Sequence, residues 1–309
     1  MIVALCTCAR PQGLRRALAH IGELEFAGDI AVIVVDNHPD RAGLRVAEEL
    51  APSYRHRLVA EFAPARGIAS ARNQALRTAL REPSDYVAML DDDEWPEPNW
   101  LSELVSCQRQ TGADVVCGPV VPEFTGRAPF WACASGAFGT RAAVAKTSNV
   151  LFATAALRAH GDPWFDESLG LSGGEDEEFI GRLGRRGAKF VSCDRAIVRE
   201  EVGPERLRLA YLFARSVRLA NVGTLLHRRA LGPSAGAGLT LAAAKLAYGL
   251  NHLFWAPFSA SRLACAIVDF GAATGVILAL CGLRYEFYAA TGPRFRRPAW
   301  GKAKIGEVG

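Results

Sequence analysis

The sequence predicts an α/β protein with a mostly parallel sheet flanked by helices, followed by a helical C-terminal extension. Short β-branched apolar runs alternate with helical patterns over the first two-thirds of the chain, which is typical of parallel sheets covered by helices. One apolar run ends directly on three aspartates, Asp91, Asp92 and Asp93. With 309 residues, 50% of them hydrophobic, the chain can bury a full core.

The strands are predicted from short apolar runs rich in valine and isoleucine. The first begins at Ile2, and the run that starts at Tyr86 ends immediately before Asp91. In chain order the predicted strands cover residues 2–6, 31–35, 57–62, 86–90, 115–121, 149–153 and 190–198.

The helices are predicted from apolar residues at three- and four-residue spacing. Pro204 marks the predicted boundary between a domain of residues 1–204 and a helical region of residues 205–309, because long alanine- and leucine-rich stretches follow it. Residues 125–141, which include Trp131, have no clear period and are predicted to form a loop. Long loops of this kind are often active-site lids or ligand-binding loops. The predicted helices cover residues 13–24, 41–51, 68–81, 175–186, 206–229, 239–258 and 263–283.

Composition narrows the functional classes. The net charge is +4 and 22% of residues are charged, without the concentrated basic stripe of a nucleic-acid-binding protein. This mild positive charge is compatible both with a basic surface that contacts a membrane and with an anionic substrate. The eight cysteines include no C-x-x-C pair, so the sequence predicts neither a zinc site nor a disulfide framework, and a reducing cytosol fits. The first residues lack a charged segment before the apolar run, so no signal peptide is predicted.

The aspartate run 91–93 is the most specific motif, because it follows an apolar strand. Side chains at the carboxyl ends of strands in open α/β sheets point into the ligand crevice. Adjacent carboxylates there repel one another, and a divalent cation such as Mg²⁺ or Mn²⁺ relieves the repulsion while bridging to phosphate oxygens. The alternative is a solvated acidic turn.

Asp36 ends the second predicted strand and could accept hydrogen bonds from a ribose or a base. The turn after the first strand, from Thr7 through Arg10 to Pro11, contains no G-x-G-x-x-G, which disfavours a dinucleotide site and leaves another nucleotide. The alternative is that Asp36 only begins a turn.

Gly67 enters an alanine-rich helix that carries Arg72 and Asn73 on its first turns. A helix N-terminus with a nearby arginine is a natural anion site, and a diphosphate is one candidate. A capped surface helix with solvated arginines is the alternative.

Gly173 and Gly174 precede Glu175 and Asp176 at the start of another predicted helix. One of these carboxylates could act as a general base toward a sugar hydroxyl within hydrogen-bond reach. Successive residues point about 100° apart on a helix, so only one of the two is expected to face a cleft. Acidic residues also stabilise helix N-termini without any catalytic role.

In this order the motifs resemble those of the family 2 glycosyltransferases, including bacterial succinoglycan and other exopolysaccharide glucosyltransferases, over residues 1 to about 230. The resemblance implies a Rossmann-like GT-A fold and an inverting transfer of a sugar from a nucleotide diphosphate-sugar, usually UDP-linked. It also implies a metal cofactor, Mn²⁺ or Mg²⁺, and an acceptor that is a glycan or a lipid-linked sugar.

Site residues carry over from the resemblance by motif. It implies that Asp93 binds the metal together with Asp91, with Asp91 and Asp92 near the ribose, and that Asp176 is the base with Glu175 beside it. The residues implied to bind the donor nucleotide are Thr7, Arg10, Pro11, Asp36, Gly67, Arg72, Asn73, Asp91 and Asp92, and those implied to lie near the sugar or acceptor are Asn149, Trp131 and Gly174.

One position departs from the family pattern. Many relatives carry a histidine after the last sheet strand that helps to bind the metal or the diphosphate, whereas this sequence has Arg199. An arginine cannot ligate a cation but can pair with a phosphate.

The C-terminal helical region predicts membrane association on the cytoplasmic side of the bacterial inner membrane. Residues 263–283 have about the length that spans a bilayer but contain Asp269, and residues 239–258 contain Lys245 and His252. A shallow hairpin or in-plane helices are therefore favoured over two spans. A buried helical subdomain or an oligomer interface is the alternative.

Two other functional classes stay open at this point. A nucleotidyltransferase would share the nucleotide-binding sheet and the carboxylate-bound metal, although it would usually carry a glycine-rich loop after the first strand. A non-catalytic membrane scaffold would bind no UDP.

Overall fold

The computed structural model describes residues 1–129, 131–132, 138–139, 147–232, 235–289 and 292–297. The chain forms two compact units. The first comprises Met1–Gly170 and Glu175–Leu207, and the second comprises Leu171–Gly174 and Arg208–Gly309.

The first unit contains two sheets. Its strands are β1 (Ile2–Thr7), β2 (Ala31–Asp36), β3 (Arg57–Phe62), β4 (Tyr86–Asp91), β5 (Glu94–Pro96), β6 (Val115–Cys117), β7 (Val120–Phe124), β8 (Val150–Ala153), β9 (Phe190–Ser192) and β10 (Val198–Val202). A seven-stranded sheet has the order β3-β2-β1-β4-β8-β6-β9, and a three-stranded sheet has the order β5-β10-β7.

Strand direction in the large sheet is mostly parallel. Strands β1 to β4 run parallel to one another, and β6 runs parallel to β9. Strand β8 runs antiparallel to both β4 and β6. Together with the flanking helices, this arrangement confirms the predicted α/β fold class.

Helices cover both faces of the large sheet. Alternate residues of β1 enter different core clusters: Val3 and Leu5 pack on one side, whereas Ile2 and Ala4 pack on the other. Such burial on both faces is typical of parallel sheets between helices. The helices of this unit are α1 (Pro11–Gly22), α2 (Ala42–Leu50), α3 (Ile68–Ala79), α4 (Trp100–Thr111), α5 (Thr154–His160) and α6 (Glu175–Arg185).

Two predicted strands are each divided in two. The run 115–121 is broken at Gly118 and Pro119, because the side-chain Nδ2 of Asn149 donates to the Pro119 carbonyl there and β7 leaves for the small sheet. The run 190–198 is broken by a turn in which the Ala196 amide donates to the Cys193 carbonyl at 3.1 Å.

Helices α4 and α5 are additions to the predicted elements. Buried Trp100, Leu101, Leu104 and Val105 recur with helical spacing in α4, and the sequence analysis overlooked them. Helix α5 has 7 residues, which is too short for a periodic signal.

The second unit is a helical assembly with a small hairpin. It contains α7 (Leu209–Leu231), α8 (Ala235–Phe254) and α9 (Ala260–Leu280), followed by the antiparallel pair β11 (Arg284–Glu286) and β12 (Arg294–Arg296). Helices α7 and α9 approach closely because α9 carries Gly275, where a Cβ would lie 2.3 Å from the Val217 carbonyl oxygen.

Basic side chains of α8 pair with Asp269, a buried residue of α9. Asp269 accepts from Lys245 Nζ at 3.0 Å and lies 3.1 Å from His252 Nδ1. Outside this cluster α8 exposes large apolar side chains, including Leu250 at 62% and Phe254 at 70%. Among the described residues, one helix, α9, is long and apolar enough to cross a membrane, and 44% of its most apolar window is buried within the protein.

Candidate active site

Strands β1 and β4 are neighbours and end at the same edge of the sheet, so their terminal residues meet. Thr7 Oγ1 donates to Asp92 Oδ2 at 2.8 Å, and Arg10 Nη1 donates to Asp92 Oδ1 at 3.1 Å. Burial raises the pKa of Asp92 to about 6, although Arg10 opposes the shift. Asp92 therefore ties the turn after β1 to the end of β4.

Asp93 lies beside a cleft. Its Oδ2 atom accepts from Arg10 Nη1 at 2.9 Å and also from Arg206 Nη2. Both arginines line a cavity of about 440 Å³, together with Pro11 and Glu201. The cleft is therefore lined by both arginines and acidic residues, and one of its carboxylates, Asp93, is held between two guanidinium groups.

Helix α1 supplies one wall of this cleft and approaches the aspartate run closely. A Cβ at Gly13 would lie 2.5 Å from the main-chain oxygen of Asp92, so a side chain at this position would push the helix away. Pro11 begins the helix, where its missing N–H costs no hydrogen bond.

Arg72 links the end of β4 to the start of α6. Its Nη2 donates to Asp91 Oδ1 at 2.9 Å, and its Nη1 donates to Glu175 Oε1. The guanidinium also lies 5.9 Å from the centre of the Phe165 ring. Burial alone would lower the pKa of Arg72, but Asp91, Glu175 and Asp176 together raise it. The two acidic motifs thus share one buried cation.

Glu175 and Asp176 differ in exposure, as the helical geometry predicts. Glu175 is 4% exposed and points toward Arg72, whereas Asp176 is partly exposed and accepts from the Glu177 amide at 2.9 Å. Only Asp176 therefore has an accessible carboxylate.

Asp36 is fully buried at the end of β2. Its carboxylate accepts main-chain N–H groups from His38 at 2.8 Å, Gly43 at 2.7 Å and Leu44 at 3.2 Å. These contacts hold the loop before α2. Asp36 therefore contacts main-chain groups, as the alternative of a turn-forming residue predicts.

Gly67 directly precedes α3 with φ +114°, a conformation that favours glycine. Its amide donates to Asn37 Oδ1 at 2.8 Å, and Asn37 Nδ2 donates to the Ala63 and Ala65 carbonyls. Asn37, which the sequence analysis did not select, therefore fixes the loop between β3 and α3.

Asn73 and Asn149 are fully buried and bond to main-chain groups. Asn73 exchanges hydrogen bonds with the amide and carbonyl of Phe165, both at 2.9 Å. Asn149 accepts from Trp100 Nε1 at 2.7 Å and donates to the Pro119 and Ala196 carbonyls. In this structure both asparagines position loops.

None of the contacts described above involves Trp131 or Gly174. Trp131 is partly buried, and much of the predicted loop 125–141 lies outside the described residues. Gly174 belongs to the second unit, where its φ is +89° and a Cβ would lie 2.1 Å from Val222 Cγ1. The absence of a side chain there permits this close packing.

Arg199 lies on β10, the middle strand of the small sheet, and contacts two glutamates. Its Nε donates to Glu97 Oε1 at 2.6 Å, and Nη1 lies 3.6 Å from Glu123 Oε2. Arg206 contacts Asp93, as Arg10 does. The helix predicted over residues 206–229 begins at Leu209 instead, because Arg206 lies in the turn after Gly203.

Glu94 is another buried carboxylate near the aspartate run, and it is not among the site residues predicted from the sequence. It is 2% exposed, and its Oε2 accepts from the Asp91 amide at 3.1 Å. Burial raises its pKa well above the ordinary value, and the nearby charges of Asp91, Asp93 and Glu200 add to the shift. Glu94 therefore closes the turn around the aspartate run.

Within the described ranges, no group of three or more His, Cys, Asp or Glu side chains is arranged to hold one metal ion. Mg²⁺ sites in proteins commonly use one or two carboxylates completed by substrate phosphates and water. Asp93, at the cleft, suits a site of this kind.

Residues 2–165 match the model of the family described as "Glycosyl transferase family 2". The mixed sheet, the acidic strand end and this match define the class: the chain belongs to the family 2 glycosyltransferases, and its fold is GT-A. It is 31% identical over 299 residues to the succinoglycan biosynthesis protein ExoM of Rhizobium meliloti (strain 1021), covering 93% of this chain and 95% of that protein.

Solved structures share the fold. The mannosyltransferase PcManGT from Pyrobaculum calidifontis, in complex with GDP-Man and Mn²⁺, is similar with a TM-score of 0.56 and 19% identity, over 90% of this chain and 86% of that one. Residues 1–349 of S. aureus TarS in complex with UDP give 0.51 and 16% identity, over 96% of both chains. Against a longer TarS structure, the chain spans 54% of that protein's length.

Proposed function

We propose that this glycosyltransferase moves a hexose from a UDP-sugar, with inversion, to a glycan or lipid-linked acceptor in bacterial polysaccharide synthesis. The observation that carries the proposal is the shared contact of Arg72 with Asp91 and Glu175. It brings the strand end proposed to bind the donor next to the helix that carries Asp176, the proposed base. The likeness to ExoM, a succinoglycan biosynthesis protein, supports the role in polysaccharide synthesis.

The donor site is proposed to include the cleft beside Asp93. Arg10 lines that cleft, and it pairs with Asp92, which accepts a hydrogen bond from Thr7. Asp36, Gly67 and Asn73, which we expect on the nucleotide side from the family resemblance, fix the loops around the same sheet edge. UDP is supported by the UDP complex of the structurally similar TarS.

A divalent cation, Mn²⁺ or Mg²⁺, is the proposed cofactor. Asp93 would hold it together with Asp91, and the donor phosphates would complete its ligands. When bound, the cation supplies Lewis-acid stabilisation of the departing diphosphate. The complex of PcManGT with Mn²⁺ supports this assignment.

The proposed reaction is a single displacement. The carboxylate of Asp176 takes the proton of an acceptor hydroxyl, whose oxygen forms a bond to the anomeric carbon while the bond from that carbon to the diphosphate oxygen breaks. The leaving UDP carries away the electron pair, and the anomeric centre inverts. Arg72 positions the site by holding Glu175 inward, which leaves Asp176 accessible.

A panel of UDP-sugars incubated with membranes that contain the enzyme, followed by mass spectrometry of lipid-linked products, tests the activity. Asp176→Asn is expected to keep donor affinity and lose transfer by several orders of magnitude, because it removes the base. Glu177→Gln, a change at the next and exposed position, is the matched control and should keep transfer. Full transfer by Asp176→Asn would move the base elsewhere, with Glu175 as the first candidate.

We also propose that the α8–α9 hairpin associates with the cytoplasmic side of the inner membrane. Tyr248 and Leu250 are 59% and 62% exposed although they are two residues apart, which places them on opposite sides of α8. A helix that is apolar on opposite sides suits an apolar solvent better than a partner bound to one face. Phe254, Trp255 and Phe258 at the hairpin turn are 70%, 48% and 79% exposed, and such aromatic residues favour membrane interfaces.

Flotation of the protein with anionic phospholipid vesicles tests the membrane proposal. The double change Phe254→Ser and Phe258→Ser should lower the bound fraction at least tenfold, because a buried phenylalanine contributes about 1.5–3 kcal/mol. Leu219→Ser with Phe295→Ser, which alters exposed apolar residues outside the α8–α9 hairpin, is the matched control. A wild-type protein that stays unbound but dimerises through these phenylalanines would contradict the proposal.

A further inference from the structure

Asp93 is held by two arginines that come from distant parts of the chain. Arg10 precedes α1, and Arg206 follows β10. The side chains of Arg206 and Asp93 are 18% and 13% exposed, so their ion pair is largely shielded from water. Ion pairs are stronger where water is excluded. Any other cation that binds this carboxylate must therefore compete with the guanidinium groups.

The two arginines differ in what else they hold. Arg10 also pairs with Asp92, which in turn accepts from Thr7, so its release would loosen the join between β1 and β4. Arg206 has its second carboxylate partner on β10, where its Nη1 lies 3.0 Å from Glu200 Oε1. If Arg206 left Asp93, Glu200 would still keep the guanidinium at the wall of the cleft.

The segment that carries Arg206 is a short turn between a strand and a helix. The Arg206 amide donates to the Gly203 carbonyl at 3.0 Å, and Pro204 and Glu205 lie between them. Gly203, Pro204 and Glu205 line the same cleft as Arg206. Arg206 lines this cavity itself, so rotation about its side-chain bonds would redirect its guanidinium from Asp93 into the cavity without moving β10.

We propose that Arg206 is an exchangeable counter-ion of Asp93: it neutralises the carboxylate while the site is empty and turns to the donor diphosphate when Asp93 binds the divalent cation. This inference rests on the proposed function. Guanidinium groups pair bidentately with phosphate, so the released arginine gains a partner of opposite charge. Cation and diphosphate binding then favour each other, because each satisfies one half of the broken pair.

Mn²⁺ binding to the full-length protein without nucleotide tests the first half of this exchange. Arg206→Gln should bind Mn²⁺ at least threefold more tightly than wild type, because the competing guanidinium is gone. Arg16→Gln is the matched control: Arg16 lines the same cleft but pairs with Glu201, so its removal should leave Mn²⁺ affinity within twofold of wild type. Arg206→Lys, which keeps a cation, should fall between Arg206→Gln and wild type.

UDP titrations at saturating Mn²⁺ test the second half. Arg206→Gln should weaken UDP binding about tenfold or more, since hydrogen bonds to charged groups contribute about 1.5–3 kcal/mol. Mn²⁺ should strengthen UDP binding in this variant less than it does in wild type.

The Mn²⁺ titration alone decides the exchange. Unchanged or weaker Mn²⁺ binding by Arg206→Gln, with an unchanged melting temperature, would overturn it, as would an equal gain in Arg16→Gln. If Arg206→Gln unfolds, Arg206→Lys carries the same comparison. Failure of every variant and of wild type to bind UDP would instead contradict the proposed function, and the Mn²⁺ comparison would still be interpretable.

Discussion

Removal of the Arg72 guanidinium should destabilise the first unit strongly. Arg72 is 6% exposed and pairs with Asp91 and with Glu175, which is 4% exposed. In Arg72→Met the hydrophobic stem persists, but both carboxylates lose their shared cation. Breaking a buried pair by removing one partner costs about 3–5 kcal/mol. At about 2–4 °C per kcal/mol for a domain of this size, the melting temperature should fall by roughly 10 °C.

Thermal and urea unfolding monitored by circular dichroism measure this effect. Arg77→Met is the matched control on the same helix, because Arg77 and Asp162 form an exposed pair with side chains 35% and 43% accessible. Such pairs contribute about 0–1 kcal/mol, so this control should lose little stability. Adding Glu175→Gln to Arg72→Met should recover part of the loss, since it removes a stranded buried charge. Equal losses in Arg72→Met and Arg77→Met would refute the reasoning.

Two further substitutions test the loops around the site. Asn73→Ala should cost about 2–4 kcal/mol in urea unfolding, because the buried amide and carbonyl of Phe165 both lose a partner; a loss below 1 kcal/mol would contradict this role. Gly118→Ala should cost about 1–3 kcal/mol or more, because a Cβ there would lie 2.0 Å from the Ala196 carbonyl oxygen. Gly223→Ala, in a helix with no atom within 4 Å of the new Cβ, is its control and should preserve or raise stability.

Much of the fold could be predicted because the hydrophobic pattern and the strand ends agree. Valine- and isoleucine-rich runs mark the central parallel strands, and the aspartate run marks the end of β4. The small sheet could not be predicted, because β5 has three residues and pairs with β10 more than 100 positions away. Local periodicity contains no information about such distant pairing.

The candidate site could also be predicted only in part. Motif patterns selected Asp91, Glu175 and Arg72, and the structure joins these three. Patterns could not show that Asp36 and Asn149 direct their side chains to main-chain groups, because the partners are set by loop conformation.

Arg206 was overlooked as a site residue for a related reason. The sequence predicts a helix over residues 206–229 that includes it, and only the tertiary fold brings it to Asp93, 113 positions away in sequence. The Gly203-Pro204 pair that ends β10 is the signal that could have placed Arg206 in a turn.

Calorimetric titration of UDP, with and without Mn²⁺, is the most direct test that the strand end after β4 binds a nucleotide diphosphate. Wild-type protein should bind UDP at one site and more tightly with Mn²⁺, Asp93→Ala should lose the metal-dependent part, and Asp176→Asn should retain it. Three results would contradict the account: no UDP binding by wild type, the same UDP affinity of wild type with and without Mn²⁺, or an Mn²⁺ enhancement of UDP binding in Asp93→Ala equal to that in wild type.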